Sequence, residues 1–359
     1  MKEVDELMKF IHIADVHLGI EPDKGKAWSE DRSREIKETF QKVIQEAEEK
    51  QVDLLLIAGD LFHMPPSEGM LREVDYMFSK LTKTKTIIVA GSHDYMKEGS
   101  PYESYRFSSK TICLAPGKVN NVYMRDLNTC VTGFSYGSKE ITDHLIDKLK
   151  PAQQGANNIL LAHAGDAKHV PYSKKALKGA GFDYVALGHI HKPEIISENK
   201  VINVGSLEPL GYTETGARGY VFGEAENGLV QARFIPINQR SYMNLLINIK
   251  PEHTQQLILD LVEQEIKRLG TKNIFRILLK GQNNDKEQFD FTRLIDTYYI
   301  YEVVEAVTEE YDLSKLYDEN KDNLVGKYIK KLSDDYYGDE VSRQALHYGL
   351  EALLETGEK

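Results

Sequence analysis

Five apolar runs of this chain end in side chains of the kind that bind metal ions. Phe10-Ile11-His12-Ile13-Ala14 leads into Asp15-Val16-His17, and Leu54-Leu55-Leu56-Ile57-Ala58 into Gly59-Asp60. Thr86-Ile87-Ile88-Val89-Ala90 leads into Gly91-Ser92-His93-Asp94, Asn158-Ile159-Leu160-Leu161-Ala162 into His163, and Tyr184-Val185-Ala186-Leu187 into Gly188-His189-Ile190-His191. Taken singly, each histidine is ordinarily a hydrogen-bonded loop residue, and an Asp after a strand a turn or helix cap. Five at strand ends form a constellation. Residues two apart on extended chain face the same side, so Asp15 and His17 address one point, while His12 packs or points elsewhere. The two oxygens of Asp60 suffice to bridge two cations. A mixed Asp/His set suits Mn²⁺, Fe²⁺ or Zn²⁺ better than Ca²⁺, and its lack of Cys argues against a structural zinc site. Two such ions roughly 3.5–4 Å apart would clamp a phosphate and lower the pKa of water, which is machinery for in-line attack on a phosphoester.

The elements that must position these residues follow from periodicity. The runs are short and bounded by Gly, so they read as buried strands with the ligands at their C-terminal ends, where open α/β sheets form their binding crevice. Between them, Ile36, Phe40, Val43, Ile44 and Ala47 predict an amphipathic helix from Asp31 to Lys50, and Met70, Leu71, Val74, Met77 and Phe78 another, capped by Ser67 and running through Leu81. This strand-helix-strand rhythm means a parallel sheet. Short strands are expected at Val119–Met124 and Cys130–Phe134, a helix at about Ser138–Leu149, and four or five further strands to about Ile237. The fold class is α/β: a two-sheet β-sandwich flanked by helices over residues 1–238. Residues 239–308 read as a small α+β module and residues 309–359 as an acidic helical segment.

Composition sets the outer bounds. At 359 residues about two domains are expected, and no apolar run approaches the roughly 18 residues of a membrane span. Met1-Lys2-Glu3-Val4-Asp5-Glu6 has no signal-peptide core, and two cysteines, Cys113 and Cys130, make no disulfide framework; a reducing cytoplasm is the expected location. The net charge of −11 argues mildly against a dedicated nucleic-acid binder. Residues 309–359 carry 13 acidic and 7 basic side chains, however, so −6 of that charge lies there.

Asp15-Val16-His17, Gly59-Asp60, Gly91-Ser92-His93-Asp94, His163 and Gly188-His189-Ile190-His191 resemble, in order and strand placement, the motifs of the calcineurin-like metallophosphoesterases. Ile13-Ala14-Asp15-Val16-His17-Leu18-Gly19 and Gly59-Asp60-Leu61-Phe62-His63 are similar to the SbcD-type DNA double-strand-break repair nucleases. The resemblance covers residues 10 to about 220; the following module matches the family's capping domain in position only. It implies that Asp15, His17, Asp60 and His191 hold one divalent metal, and Asp60, position 92, His163 and His189 the other. Mn²⁺ is the expected ion, with Fe²⁺, Zn²⁺ or Mg²⁺ as alternatives. It implies that His93 stabilises charge on the scissile phosphate and protonates the leaving oxygen, that Asp94 orients His93, and that His63 places the DNA backbone; a packed histidine beside a Pro turn is the plainer account of His63. Ser92 stands where the family has Asn. Its hydroxyl is a shorter and poorer neutral ligand, which implies a weaker second site.

The resemblance also implies DNA, an SbcC-type coiled-coil ATPase and a second copy of the chain as partners. Leu346, Leu350, Leu353 and Leu354 form a helical stripe that either docks the ATPase or packs on its own domain. Lys168, Lys174, Lys175 and Lys178, and Lys97, Arg106 and Lys110, are candidate phosphate contacts or a solvated face. The expected function is a two-metal DNA exo- or endonuclease. A phosphoesterase acting on a nucleotide or other small phosphodiester is the alternative, and a non-catalytic scaffold a third reading motivated by Ser92 alone.

Overall fold

The computed structural model describes residues 7–108, 110–283, 289–309, 313–335 and 340–355. The chain divides into two compact units, Met1–Met243 and Asn244–Lys359. The first contains β1 (Met8–Ile13), α1 (Ser29–Glu49), β2 (Leu54–Ala58), α2 (Glu68–Phe78), β3 (Lys85–Val89), α3 (Pro101–Ser104), β4 (Thr111–Cys113), β5 (Asn120–Met124) and β6 (Thr129–Gly133). It continues with β7 (Asn157–His163), α4 (Lys174–Gly179), β8 (Tyr184–Gly188), β9 (Glu194–Ser197), β10 (Val201–Asn203), β11 (Gly219–Glu226) and β12 (Leu229–Pro236).

These strands form two six-stranded sheets, in the orders β12-β11-β1-β2-β3-β4 and β5-β6-β7-β8-β10-β9. In the first, β1 to β4 run parallel, β11 pairs antiparallel with β1, and β12 antiparallel with β11. In the second, β6, β7, β8 and β10 are parallel, with β5 and β9 antiparallel at the edges. The central strands are buried on both faces, which is why they read as continuous apolar runs rather than alternating ones. Phe10 of β1, Ala14 just after it, and Leu54 and Leu56 of β2 face Ile159 and Leu161 of the second sheet, while Ile11 and Ile13 face outward. There α1 lays down Ile36, Phe40, Val43, Ile44 and Ala47, and α2 adds Leu71, Val74, Met77 and Phe78. The outer face of the second sheet is closed by Ile146, Val170, Leu177 and Phe182. Each such side chain, fully buried, is worth about 1.5–3 kcal/mol. The result is the two-sheet sandwich flanked by helices.

Local chemistry sets the helix ends. Ser67 caps α2, its Oγ accepting from Met70 N–H at 3.3 Å, a contact worth about 1 kcal/mol. The helix expected at Ser138–Leu149 is absent except for a 3₁₀ turn at Ile146–Lys148. The physical reason is tertiary: Ile141 N–H donates to Lys168 C=O at 2.9 Å, and Ile141 C=O accepts from Val170 N–H at 2.7 Å. The backbone that would have closed helical turns is spent on the loop after β7.

The second unit holds β13 (Tyr242–Ile249, which begins just before the boundary), α5 (Gln255–Leu269), β14 (Ile274–Asn283), α6 (Thr292–Thr297) and β15 (Ile300–Glu309). Its sheet has the order β13-β14-β15, with β14 and β15 parallel. Helices α7 (Leu313–Glu319), α8 (Leu324–Asp335) and α9 (Glu340–Glu355) follow. Leu350 of α9 is buried against Val325 and Ile329 of α8, with Leu346 and Leu353 beside it, so the leucine stripe packs within these helices; only Leu354 is exposed. Among the described residues no helix is long and apolar enough to cross a membrane.

Candidate metal centre

All five ligand-bearing turns leave the C-terminal ends of parallel strands, β1, β2 and β3 from one sheet and β7 and β8 from the other. The turns are laced together. Asp15 N–H donates to Gly59 C=O, His17 N–H to Asp60 C=O and His63 N–H to Leu18 C=O, each at 3.0 Å. Asp15, His17 and Asp60 sit at φ of 50° to 52° and His189 at 100°, four of the ten non-glycine residues with positive φ among those described. That left-handed backbone costs energy for residues with a Cβ, and its concentration here marks turns bent to aim side chains.

Asp60 is central. Its Oδ1 accepts from His93 N–H at 2.9 Å, while Oδ2 lies 3.3 Å from His163 Nε2, 3.4 Å from Ser92 Oγ and 3.8 Å from His17 Nε2. Two glycines make the room: a Cβ on Gly91 would fall 2.2 Å from Asp60 Oδ1, and one on Gly59, at φ +92°, 2.3 Å from His163 Nδ1. On one side of Asp60, His17 Nε2 and His191 Nε2 converge to 3.2 Å, above the buried Asp15 carboxylate. On the other, His163 donates Nδ1–H to Ala58 C=O at 3.0 Å. Its buried Nε2 has Asp60 Oδ2 as neighbour at 3.3 Å without a well-aligned hydrogen bond.

Electrostatics describe the same imbalance. Burial raises the Asp15 carboxyl to about 6. Burial also opposes the Asp60 charge, yet His163 and His17 outweigh it and hold Asp60 far below the usual carboxylate range. Burial opposes charge on His163 as well, but Asp60 wins and the imidazole rises to about 9. His17 is pushed well below its ordinary value by burial. Two buried carboxylates, one of them charge-balanced by the protonated His163 ring, are what a pair of cations would satisfy. Asp15, His17 and His191, and Asp15, Asp60 and His163, each bring ligand atoms within 4.8 Å of one another.

Outer partners fix the imidazoles. His191 Nδ1 meets Glu214 at 2.6 Å, and Glu214 in turn accepts from Leu210 N–H. His189 Nε2 meets Asp166 at 3.0 Å, and His189 N–H donates to Asp15. Such carboxylate–histidine pairs set the tautomer of a metal-binding ring. The sequence reading missed both acids. Glu214, among threonines, carried no local signal; Gly165-Asp166 comes one residue after β7, a Gly-Asp turn like the Gly59-Asp60 that follows β2, and could have been found.

At the rim, His63, His17 and His93 gather, with the His63 and His93 rings stacked at 5.2 Å. His93 Nδ1 meets His63 C=O at 3.1 Å. Asp94 does not touch the His93 ring: its buried carboxylate accepts from Gly91 N–H and Phe62 N–H, tying the β3 turn to the β2 turn. Burial, reinforced by Asp60, raises its pKa to about 7. His12 lies away from the centre, meeting Tyr184 Oη between the sheets. Of the candidate phosphate contacts, Lys168 pairs with Glu140, Lys174 with Glu194, and Lys110 and Arg106 bond backbone carbonyls.

Residues 8–193 match the calcineurin-like phosphoesterase family. The DNA double-strand break repair protein Mre11 of Methanocaldococcus jannaschii is 32% identical over 195 residues, covering 52% of this chain and 52% of that protein. The chain therefore spans about half the length of this relative. The uncharacterized metallophosphoesterase YhaO of Bacillus subtilis is 25% identical over 305 residues, 76% of this chain and 72% of its own. A solved structure, TT1561 of Thermus thermophilus, shares 13% identity at a TM-score of 0.36, over 64% of this chain and 99% of that one. More than half of the chain lies in the matched region, and the protein belongs to the calcineurin-like phosphoesterases, hydrolases that depend on a dinuclear metal centre.

Proposed function

We propose that this phosphoesterase is a DNA nuclease, cutting phosphodiester bonds during DNA repair or end processing. The observation that carries the reading is the histidine pair at the rim, His63 stacked on His93 with the His17 ring edge-on to both, 4.8 Å from His93 and 5.4 Å from His63. The similarity to the archaeal Mre11 supports it. Asp15, His17, Asp60 and His191 would hold one cation, and Asp60, Ser92, His163 and His189 the other. When bound, the pair, Mn²⁺ in this reading, polarises the phosphate and activates water at neutral pH. His93 is exposed, and its Nδ1–H is committed to the His63 carbonyl. Its Nε2 therefore faces solvent, placed to give a proton to the leaving oxygen. His63 stacks against that ring and would help place the DNA backbone. Ser92 Oγ, spent on Asp60, leaves the second cation loosely held. Binding of a second copy and of an SbcC-type coiled-coil ATPase, which would open DNA ends, belongs to the same proposal; the α9 leucines are packed and would not form that dock.

The test is Mn²⁺-dependent cleavage of end-labelled single- and double-stranded DNA by wild type, His93→Ala and Ser92→Asn. Loss of cleavage of about 10²–10⁴-fold in His93→Ala is expected, with faster cleavage and tighter metal binding in Ser92→Asn. A manganese-loaded wild type that leaves DNA intact but hydrolyses a small diester would replace this reading with a phosphodiesterase for small molecules. The net charge of −11 and the pairing of Lys168 and Lys174 with acids favour that second reading.

A further inference from the structure

A third group of ligand atoms lies beside the dinuclear centre. Asp166, His169 and His189 bring one carboxylate oxygen and two ring nitrogens within 4.8 Å of one another. The Asp166 carboxylate serves both rings, Oδ1 meeting His169 Nδ1 at 2.8 Å and Oδ2 meeting His189 Nε2 at 3.0 Å. The two rings lie 4.4 Å apart. The imidazoles are mostly buried, with side chains 18% and 13% exposed, whereas Asp166 is 54% exposed. The cluster is therefore lined by nitrogen inside and open to solvent through its carboxylate. The loop that presents it is held hard: Val170, buried and β-branched, sits at φ +46° while Val170 N–H bonds Ile141 C=O.

From this geometry we infer that Asp166, His169 and His189 form an accessory site for a borderline-soft divalent cation such as Zn²⁺, and that filling it restrains catalysis. Two imidazoles and one carboxylate with an open fourth position make a donor set suited to zinc and poor for Mg²⁺ or Ca²⁺. Because the ionised Asp166 carboxylate can only accept, each ring nitrogen that faces it carries a proton, and these two protons hold the place a cation would take. The restraint follows from His189 having two edges. Its ring lies between His169 and His163, whose ring centroid is 5.0 Å away. With Nε2–H on Asp166, the lone pair is on Nδ1, the only nitrogen left for the second cation. A neutral imidazole has one lone pair. A cation at Nε2 would displace the ring proton to Nδ1 and with it release the second cation from that nitrogen, so zinc uptake at this site would be matched by loss of one Mn²⁺. This step rests on His189 serving the second metal.

The experiment dialyses the full chain in saturating Mn²⁺ against rising Zn²⁺, counting both metals per chain, with hydrolysis of bis(p-nitrophenyl) phosphate followed in parallel. Wild type, His169→Ala and His169→Gln are compared after thermal melts show that they are folded. Wild type is expected to take up zinc, and to lose activity, at a concentration at least about tenfold below that needed by either variant. Activity in Mn²⁺ alone should be the same in all three. Zinc uptake curves that superimpose would overturn the site. Uptake that depends on His169 without any matching loss of rate would overturn the restraint. A wild type that hydrolyses no diester would count against the proposed function rather than the site, since zinc uptake still decides the latter.

Discussion

Glu214 shows how a residue with no chemistry of its own governs one that has it. His191 Nε2 faces His17 across the centre because Nδ1–H is held by Glu214. Burial opposes the His191 charge, but Glu214 and Asp15 raise it above its ordinary value. Glu214→Gln keeps the length and removes the charge, so the ring is less basic and less firmly oriented. Manganese affinity, read by equilibrium dialysis, is expected to fall about 10–100-fold. An unchanged affinity would remove Glu214 from this role. At this scale the sequence was legible in bringing strand-end candidate ligands together, as with Asp15, Asp60 and His163. It was illegible where a partner is brought in from far along the chain: nothing in Tyr212-Thr213-Glu214-Thr215 announces His191. Asp94 shows the same limit, since its neighbours in sequence suggest a partner for His93 while its hydrogen bonds go to backbone.

At the scale of elements, the turns do the positioning, and glycine is what lets them. Gly91 follows β3 at a place where a Cβ would overlap Asp60 Oδ1, and its φ is not the left-handed kind, so the requirement is purely one of space. Gly91→Ala must push the Asp60 carboxylate aside or move the turn. The expected outcome is a folded protein with metal affinity reduced about tenfold or more. Gly179→Ala is the control, because a Cβ there meets nothing within 4 Å. Equal metal affinity in the two variants would show that the β3 turn yields without cost. The strand-turn pattern was readable because buried parallel strands are apolar throughout and stop at their ligands. The helix expected at Ser138–Leu149 failed because periodicity is a local signal, and the backbone of Ile141 is claimed by a loop nearly thirty residues away.

At the scale of the whole molecule, the sandwich brings candidate ligands from two sheets to one edge, and what holds the sheets in register matters to the site. Most of that interface is apolar, and its existence was readable from the strands. For His12, a histidine expected only to pack or point elsewhere, the sequence named no partner. His12 lies wholly buried between β1 and β8 with Nδ1 on Tyr184 Oη at 3.0 Å. Burial lowers its pKa from 6.5 to about 3. As pH drops below 6.5 the unfolded chain binds a proton that the folded chain refuses, so stability falls with pH from 6.5 down to about 3. Between pH 7 and pH 5 the loss from this residue alone is about 2 kcal/mol. His12→Phe removes the titration and leaves the Tyr184 hydroxyl unpaired, a cost that does not vary over this range. Urea unfolding of metal-free wild type and variant at both pH values separates the two effects. The variant starts less stable at pH 7, and the gap should narrow by about 2 kcal/mol at pH 5, because the other buried groups titrate alike in both proteins. A gap that stays constant would mean that His12 takes up its proton in the folded state, and that the sheets part locally to let water reach it.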